Sequence, residues 1–134
     1  MTLYLDSSAL MKRYVEEPES DLVERYMHAD TDWITARLTW VEVRRNLSRL
    51  LSGAGLDEAR GQFSQDFRRT MVVELDGTTC EGAATIAEIT GCRSIDALHL
   101  AALRRISDGN VPLLSFDVRQ AQAARQLGIT VVGA

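Results

Sequence analysis

The sequence predicts an α/β fold, a three-layer α/β/α domain in which a parallel sheet of about five strands is covered by helices on both faces. Two observations predict it. Short, β-rich apolar runs alternate with longer helical segments along the whole chain, which is the pattern of a parallel sheet wound through helical crossovers. The 134 residues, 46% of them hydrophobic, carry no internal repeat and no linker, so residues 1–134 read as one domain with one core.

Thr2–Leu5 is a short apolar run closed by Asp6-Ser7-Ser8, a strand meeting helix-capping residues. Residues 9–15 read as a helix, ended at Glu17-Pro18. Residues 19–28 space Leu22, Val23, Tyr26 and Met27 as a helical stripe. Residues 33–35 form a second short strand. Residues 38–51 form a longer helix with Trp40, Val43, Leu47, Leu50 and Leu51 on one face, stopped by Gly53 and Gly55. A more polar helix follows over 56–69, then a β-rich run over 71–75. Asp76-Gly77-Thr78 turns that run into a helix reaching Thr90 and capped by Gly91. Ser94 starts a helix to about Ile106, and residues 111–116 form a strand ending at Asp117. A helix over 119–127, Gly128 and a last strand over 129–132 complete the chain.

Composition narrows the function. No apolar run approaches the roughly 20 residues of a membrane span. The N-terminus has no basic leader and meets Asp6 at once, unlike a signal peptide. Cys80 and Cys92 are then expected to be reduced thiols, and the protein cytoplasmic. A net charge of −4 argues against a protein that coats nucleic acid unspecifically. Fourteen arginines stand against one lysine, Lys12. Forked phosphate contacts and a codon bias explain that equally well.

Of the nineteen acids, Glu16, Glu17, Glu19, Asp57, Glu58, Asp66 and Asp108 sit in polar surroundings and read as solvated surface. Four stand out. Asp6 and Asp117 each follow a strand, at the carboxyl edge where open parallel sheets bind ligands; both also suit a helix N-cap. Asp96 lies in the first turn of a helix that is apolar almost all round, 95–103. Burying its charge costs several kcal/mol unless it is paired or holds a metal, and Ser94 is there to cap instead. Glu42 lies on the flank of its helix, where a solvated glutamate paired with Arg45 or Asn46 is the plainer alternative.

Converging carboxylates without imidazole or thiolate form a hard-oxygen site suited to Mg²⁺ or Mn²⁺ rather than Zn²⁺. Such an ion can activate water against a phosphodiester, with a remaining carboxylate orienting or deprotonating that water. Other chemistries fit less well. His28 lies in a polar helix and His99 in the buried one, so a two-histidine mechanism finds no pair. No phosphate-cradling glycine motif is present, and Ser7 and Ser8 lack a histidine base.

Four stretches carry a family likeness: LYLDSSALMKRYVEE at 3–17, ITARLTWVEVRRNL at 34–47, RSIDALHLAAL at 93–103 and LLSFDVRQAQAARQLGI at 113–129. In order, spacing and total length the chain resembles the PIN domain, specifically the VapC toxins of type II toxin–antitoxin pairs. The resemblance implies five parallel strands and a magnesium-dependent endoribonuclease with acids at Asp6, Glu42, Asp96 and Asp117. The metal would rest on Asp6, Asp96 and Asp117, with Mn²⁺ able to replace Mg²⁺. Ser7 matches the hydroxyl that commonly follows the first acid, and Ser115 the small polar residue two positions before the last. Val118-Arg119 stands where some relatives carry a further acid, which puts a second ion in doubt.

The likeness also implies partners: an RNA substrate, an antitoxin whose basic tail blocks the acidic groove, and a second copy of the chain in a homodimer. Two alternatives from other classes remain. An aspartyl phosphotransferase or receiver-like domain also places an acid at a strand end. The phosphatases want a second acid at position 8, which is serine, and receivers want a late lysine, which is lacking. A catalytically inactive PIN-like binding module would be expected to have lost some of the four acids.

Overall fold

The structure, a computed structural model, describes every residue except Met1, Thr31 and Asp108; Asp108, read above as a surface acid, lies outside the described residues. Twelve elements follow one another among the described residues: β1 Thr2–Leu5, α1 Ser7–Tyr14, α2 Ser20–Ala29, β2 Asp32–Ala36, α3 Leu38–Leu50, α4 Gly53–Arg68, β3 Met71–Val73, α5 Gly77–Thr90, α6 Ser94–Ile106, β4 Leu113–Ser115, α7 Val118–Gln126 and β5 Val131–Gly133. The five strands form one sheet in the order β3-β2-β1-β4-β5, and every neighbouring pair is parallel.

Side chains alternate across a strand, and β1 shows what this does. Leu3 and Leu5 enter a core with Met11, Val23, Met27, Val43, Leu47 and Phe63, supplied by α1 to α4. Tyr4 points the other way, into a core with Ile86, Leu100, Leu103 and Ala124, supplied by α5 to α7. The sheet therefore has an apolar layer on each face, which is the expected three-layer α/β/α arrangement.

From β1 the chain winds outward through β2 to β3, then returns to place β4 and β5 on the other side of β1. The reversal falls between β1 and β4, paired Tyr4 with Leu113 and Leu5 with Leu114. At such a reversal the crossovers diverge and leave a crevice beyond the carboxyl ends of the strands. Asp6 follows β1 at that edge, and Asp117 lies two residues past β4.

Several boundaries differ from expectation, for visible reasons. Helix α1 begins at Ser7 rather than residue 9, because Asp6 caps it by accepting from the Ala9 amide at 2.9 Å. Gly53 and Gly55 lie inside the first turn of α4 instead of merely stopping α3; the break is made by extended Leu51 and Ser52 and by Gly53 at φ +59°. Leu50, expected on the buried face, is 60% exposed, and burial along α3 ends at Leu47. Strand β3 ends at Val73, where Glu74 turns its carbonyl to the Thr79 hydroxyl. Strand β4 is shorter than 111–116: Pro112 has no amide to donate, and the Phe116 amide donates to Ser8 Oγ at 3.0 Å. The last strand starts at Val131 rather than 129. Gly91 caps α5 in the left-handed region as expected, with φ +72°.

Asp66 corrects the list of solvated acids. It is 6% exposed, and its Oδ2 accepts from Arg13 Nε at 2.8 Å and from the Tyr14 hydroxyl at 2.7 Å. Arg13 also donates to Glu24 at 2.8 Å, so one network ties α1, α2 and α4. Of the other acids in that list, Glu16, Asp57 and Glu58 are exposed, while Glu17 and Glu19 pair with Lys12. Among the described residues no helix is long and apolar enough to cross a membrane.

Candidate active site

Four separate segments deliver the four singled-out acids to one cavity of about 400 Å³, which Ser7, Ser8, Arg93, His99 and Gln120 also line. Asp6 is the most enclosed by donors. Its Oδ1 accepts from Ser8 Oγ at 2.7 Å and from the Ala9 amide at 2.9 Å. Its Oδ2 accepts from Ser115 Oγ at 2.6 Å and from Gln120 Nε2 at 2.9 Å. Burial pushes the Asp6 carboxyl above its ordinary pKa, against the opposing pull of His99 and of the Ser115, Ser8 and Ala9 donors. Those four bonds use the acceptor positions of a carboxylate. An ion held by Asp6 must therefore replace one of them, and the serine hydroxyls, which rotate, are the donors able to yield.

Asp96 sits in the first turn of α6, 2% exposed, and accepts from Arg93 Nε at 3.1 Å. Asp117 caps α7 with Oδ1, accepting from the Arg119 and Gln120 amides, while its Oδ2 accepts from Arg93 Nη2 at 3.1 Å. The expected cap roles of Asp6 and Asp117 are thus real and coexist with a place in the cavity. Ser94 does not cap α6; the N-cap is Arg93, without a side-chain bond. Glu42 is paired neither with Arg45 nor with Asn46, which bond each other. Its Oε1 accepts instead from His99 Nε2 at 2.8 Å.

Ser115, matched to a small polar family position, reaches Asp6 through its hydroxyl, whereas Ser7 lines the cavity and leaves the other hydroxyl bond to Ser8. Sequence reasoning missed Ser8, Arg93, His99 and Gln120. A signal existed for three of them. Arg93 and His99 stand three residues before and after Asp96, and Gln120 stands three after Asp117, the spacing that puts helical side chains on one face. His28 lies elsewhere, its side chain 77% exposed on α2, so the two histidines do not share a site.

The donor set suits a hard cation, since four carboxylates face one cavity and a cationic group is already drawn between two of them. The Arg93 guanidinium bridges Asp96 and Asp117. With Arg93 and the other donors in place, no three histidine, cysteine or carboxylate side chains among the described residues converge closely enough to ligate one ion. Arg93 is half exposed at its side chain.

The chain matches the family model described as PIN domain over residues 3–126. It is 31% identical to ribonuclease VapC46 and 33% identical to ribonuclease VapC35, both of Mycobacterium tuberculosis, over 97% of this chain and 95% of each relative. Among solved structures, a toxin–antitoxin complex from Klebsiella pneumoniae superposes with a TM-score of 0.73 at 14% identity, covering 98% of this chain and 96% of that one. The sarcin–ricin loop cleaving toxin VapC20 of M. tuberculosis gives the same score at 14% identity, over 90% of this chain and 94% of its own. At those identities the structural likeness speaks for the fold.

Proposed function

The chain belongs to the PIN-domain family, and from that premise we propose that it is a Mg²⁺-dependent endoribonuclease acting as the toxin of a type II toxin–antitoxin pair. The observation that carries the reading is the convergence of Asp6, Glu42, Asp96 and Asp117, from four separate segments, on one cavity at the carboxyl edge of the sheet. The curated relatives named ribonucleases, matched over nearly their full length, support RNA as the substrate.

Asp6, Asp96 and Asp117 would hold the ion, and Mn²⁺ would serve in place of Mg²⁺. When bound, the ion supplies an activated water and offsets the charge gathering on the phosphodiester. The remaining steps belong to the chain. Glu42, at the cavity wall, orients the attacking water and accepts its proton. Ser115 and Gln120 hold Asp6 in one orientation. The N-terminal turn of α6, which carries no side-chain cap and lines the cavity through Ser94, Ile95 and Asp96, favours an anion such as a phosphate.

An antitoxin partner follows from the same reading, supported by toxin–antitoxin complexes among the structural neighbours. An acidic cavity with the apolar Ile95 at its rim is a receptor for an arginine side chain. Homodimerisation has apolar surface available on α3, where Val41 and Leu50 are exposed. An RNA substrate and an antitoxin partner would both be met in the cytoplasm, which supports that location. The receiver-like alternative loses ground, since Lys12 is taken up by Glu17 and Glu19.

Hydrolysis at this site is expected to leave a 5′-phosphate and a 3′-hydroxyl. Attack by the ribose 2′-hydroxyl needs an acid–base pair, and His99 is buried with both ring nitrogens engaged while His28 is remote. A single 2′-deoxy nucleotide at the cut should accordingly be cleaved, with at most weaker recognition. The test is ligation of freshly cut RNA by a ligase that requires a 5′-phosphate. Products ending in a 2′,3′-cyclic phosphate, and refusing ligation, would overturn the mechanism.

A further inference from the structure

Glu42, unlike Asp96 and Asp117, is held in the cavity by a side chain from the core. Its Oε1 accepts from His99 Nε2 at 2.8 Å. The other ring nitrogen, Nδ1, lies 2.8 Å from the Tyr4 hydroxyl, and the two rings meet edge to face with centroids 5.9 Å apart. Tyr4 is fully buried and His99 is 1% exposed. The series thus runs from the middle of β1 through α6 to α3, and its last two members, His99 and Glu42, line the cavity.

A carboxylate can only accept, so the proton between His99 and Glu42 sits on Nε2. In a neutral ring Nδ1 then receives the Tyr4 hydroxyl, and the imidazole is held at both ends in one tautomer and one plane. A glutamate on a helix flank otherwise samples several rotamers, and a group meant to align water must be held to within a fraction of an ångström. Neither Arg45 nor Asn46 supplies that restraint.

We propose that His99, anchored by Tyr4, is a positioning residue that fixes the Glu42 carboxylate for its work in the cavity. The proposal rests on the ribonuclease reading, in which Glu42 handles the attacking water. Tyr4 lies on β1 and Asp6 follows its end. One strand then orients two acids of the site, Asp6 directly and Glu42 through His99.

The test compares wild type with His99→Leu, His99→Gln and Tyr4→Phe in Mg²⁺-dependent cleavage of one defined RNA. It is joined to ¹⁵N shifts of the His99 ring. His99→Leu is expected to lower kcat by about 10- to 100-fold, the usual cost of losing a group that orients a site residue, with the KM for RNA little changed. His99→Gln, whose amide reaches the same carboxylate, should recover most of that loss. The wild-type ring should carry its proton on Nε2, and Tyr4→Phe, which keeps the aromatic ring should His99→Leu fail to fold, should lower kcat and weaken that preference. Glutamine no better than leucine, an unaltered kcat in His99→Leu or Tyr4→Phe, or an Nδ1-protonated ring would overturn the role of His99 while leaving the ribonuclease reading intact. A wild type inert towards RNA in every divalent ion would contradict both.

Discussion

Asp96→Asn is expected to lower RNA cleavage by at least about 100-fold, the scale seen when a single group stabilising charge in a reaction is removed, and to leave the fold standing. Asp96 is buried in the first turn of α6, and its one side-chain partner among the described residues is Arg93. Arg93 is itself 58% exposed at the side chain, and an ion pair so open to water contributes about 0–1 kcal/mol. Losing one negative charge from a cavity that gathers four also relieves repulsion among the remaining three. The two effects oppose each other, so the melting temperature in EDTA should move by no more than a few degrees. Cleavage of a labelled RNA and a thermal melt on the same preparation check this. Undiminished cleavage, or a melt lowered by many degrees, would make Asp96 a structural residue instead.

The largest loss of stability should come from a residue outside the cavity. Asp66→Ala removes the acceptor shared by Arg13 and Tyr14. It leaves a largely buried guanidinium with only Glu24, and a hydroxyl that burial and Asp66 hold well above its ordinary pKa. Breaking a buried pair by removing one partner costs about 3–5 kcal/mol, because the other charge stays buried without its partner. For a chain of this size that corresponds to a melting temperature lower by roughly 10 °C or more. Asp66→Asn keeps an acceptor oxygen and should lose less. Cleavage per folded molecule should be unchanged in both. A melt of Asp66→Ala within a degree or two of wild type would show that the network linking α1, α2 and α4 contributes little.

The contrast between Asp96 and Asp66 shows how far the sequence could be read. Asp96 was legible because its neighbours in the helix are apolar on every side, so a charge there was conspicuous from local sequence alone. Asp66 lies among Gln65 and Arg68 in a polar helix, and its partners on α1 lie more than fifty positions away; nothing local marks it as buried. The strand–helix alternation gave the layers and the carboxyl-edge placement of Asp6 and Asp117, because those follow from periodicity and from which residue ends a strand. The strand order, and so the neighbouring of β1 and β4, depends on crossovers that no local pattern records. Glu42 was undecided for a related reason. Its partner His99 stands 57 positions away, and only the folded chain brings α3 and α6 to the same cavity. Strand ends were misjudged where a side chain supplied the bond, as Ser8 does for the Phe116 amide.

Metal dependence is the claim on which the four acids, the hydrolytic products and the role assigned to Glu42 all rest. The measurement is cleavage of RNA by the purified protein in EDTA, and again after Mg²⁺ or Mn²⁺ is restored in excess. No cleavage in EDTA and full recovery with either ion is the expected result, because no imidazole pair stands in the cavity to do the work alone. Undiminished cleavage in EDTA would contradict it.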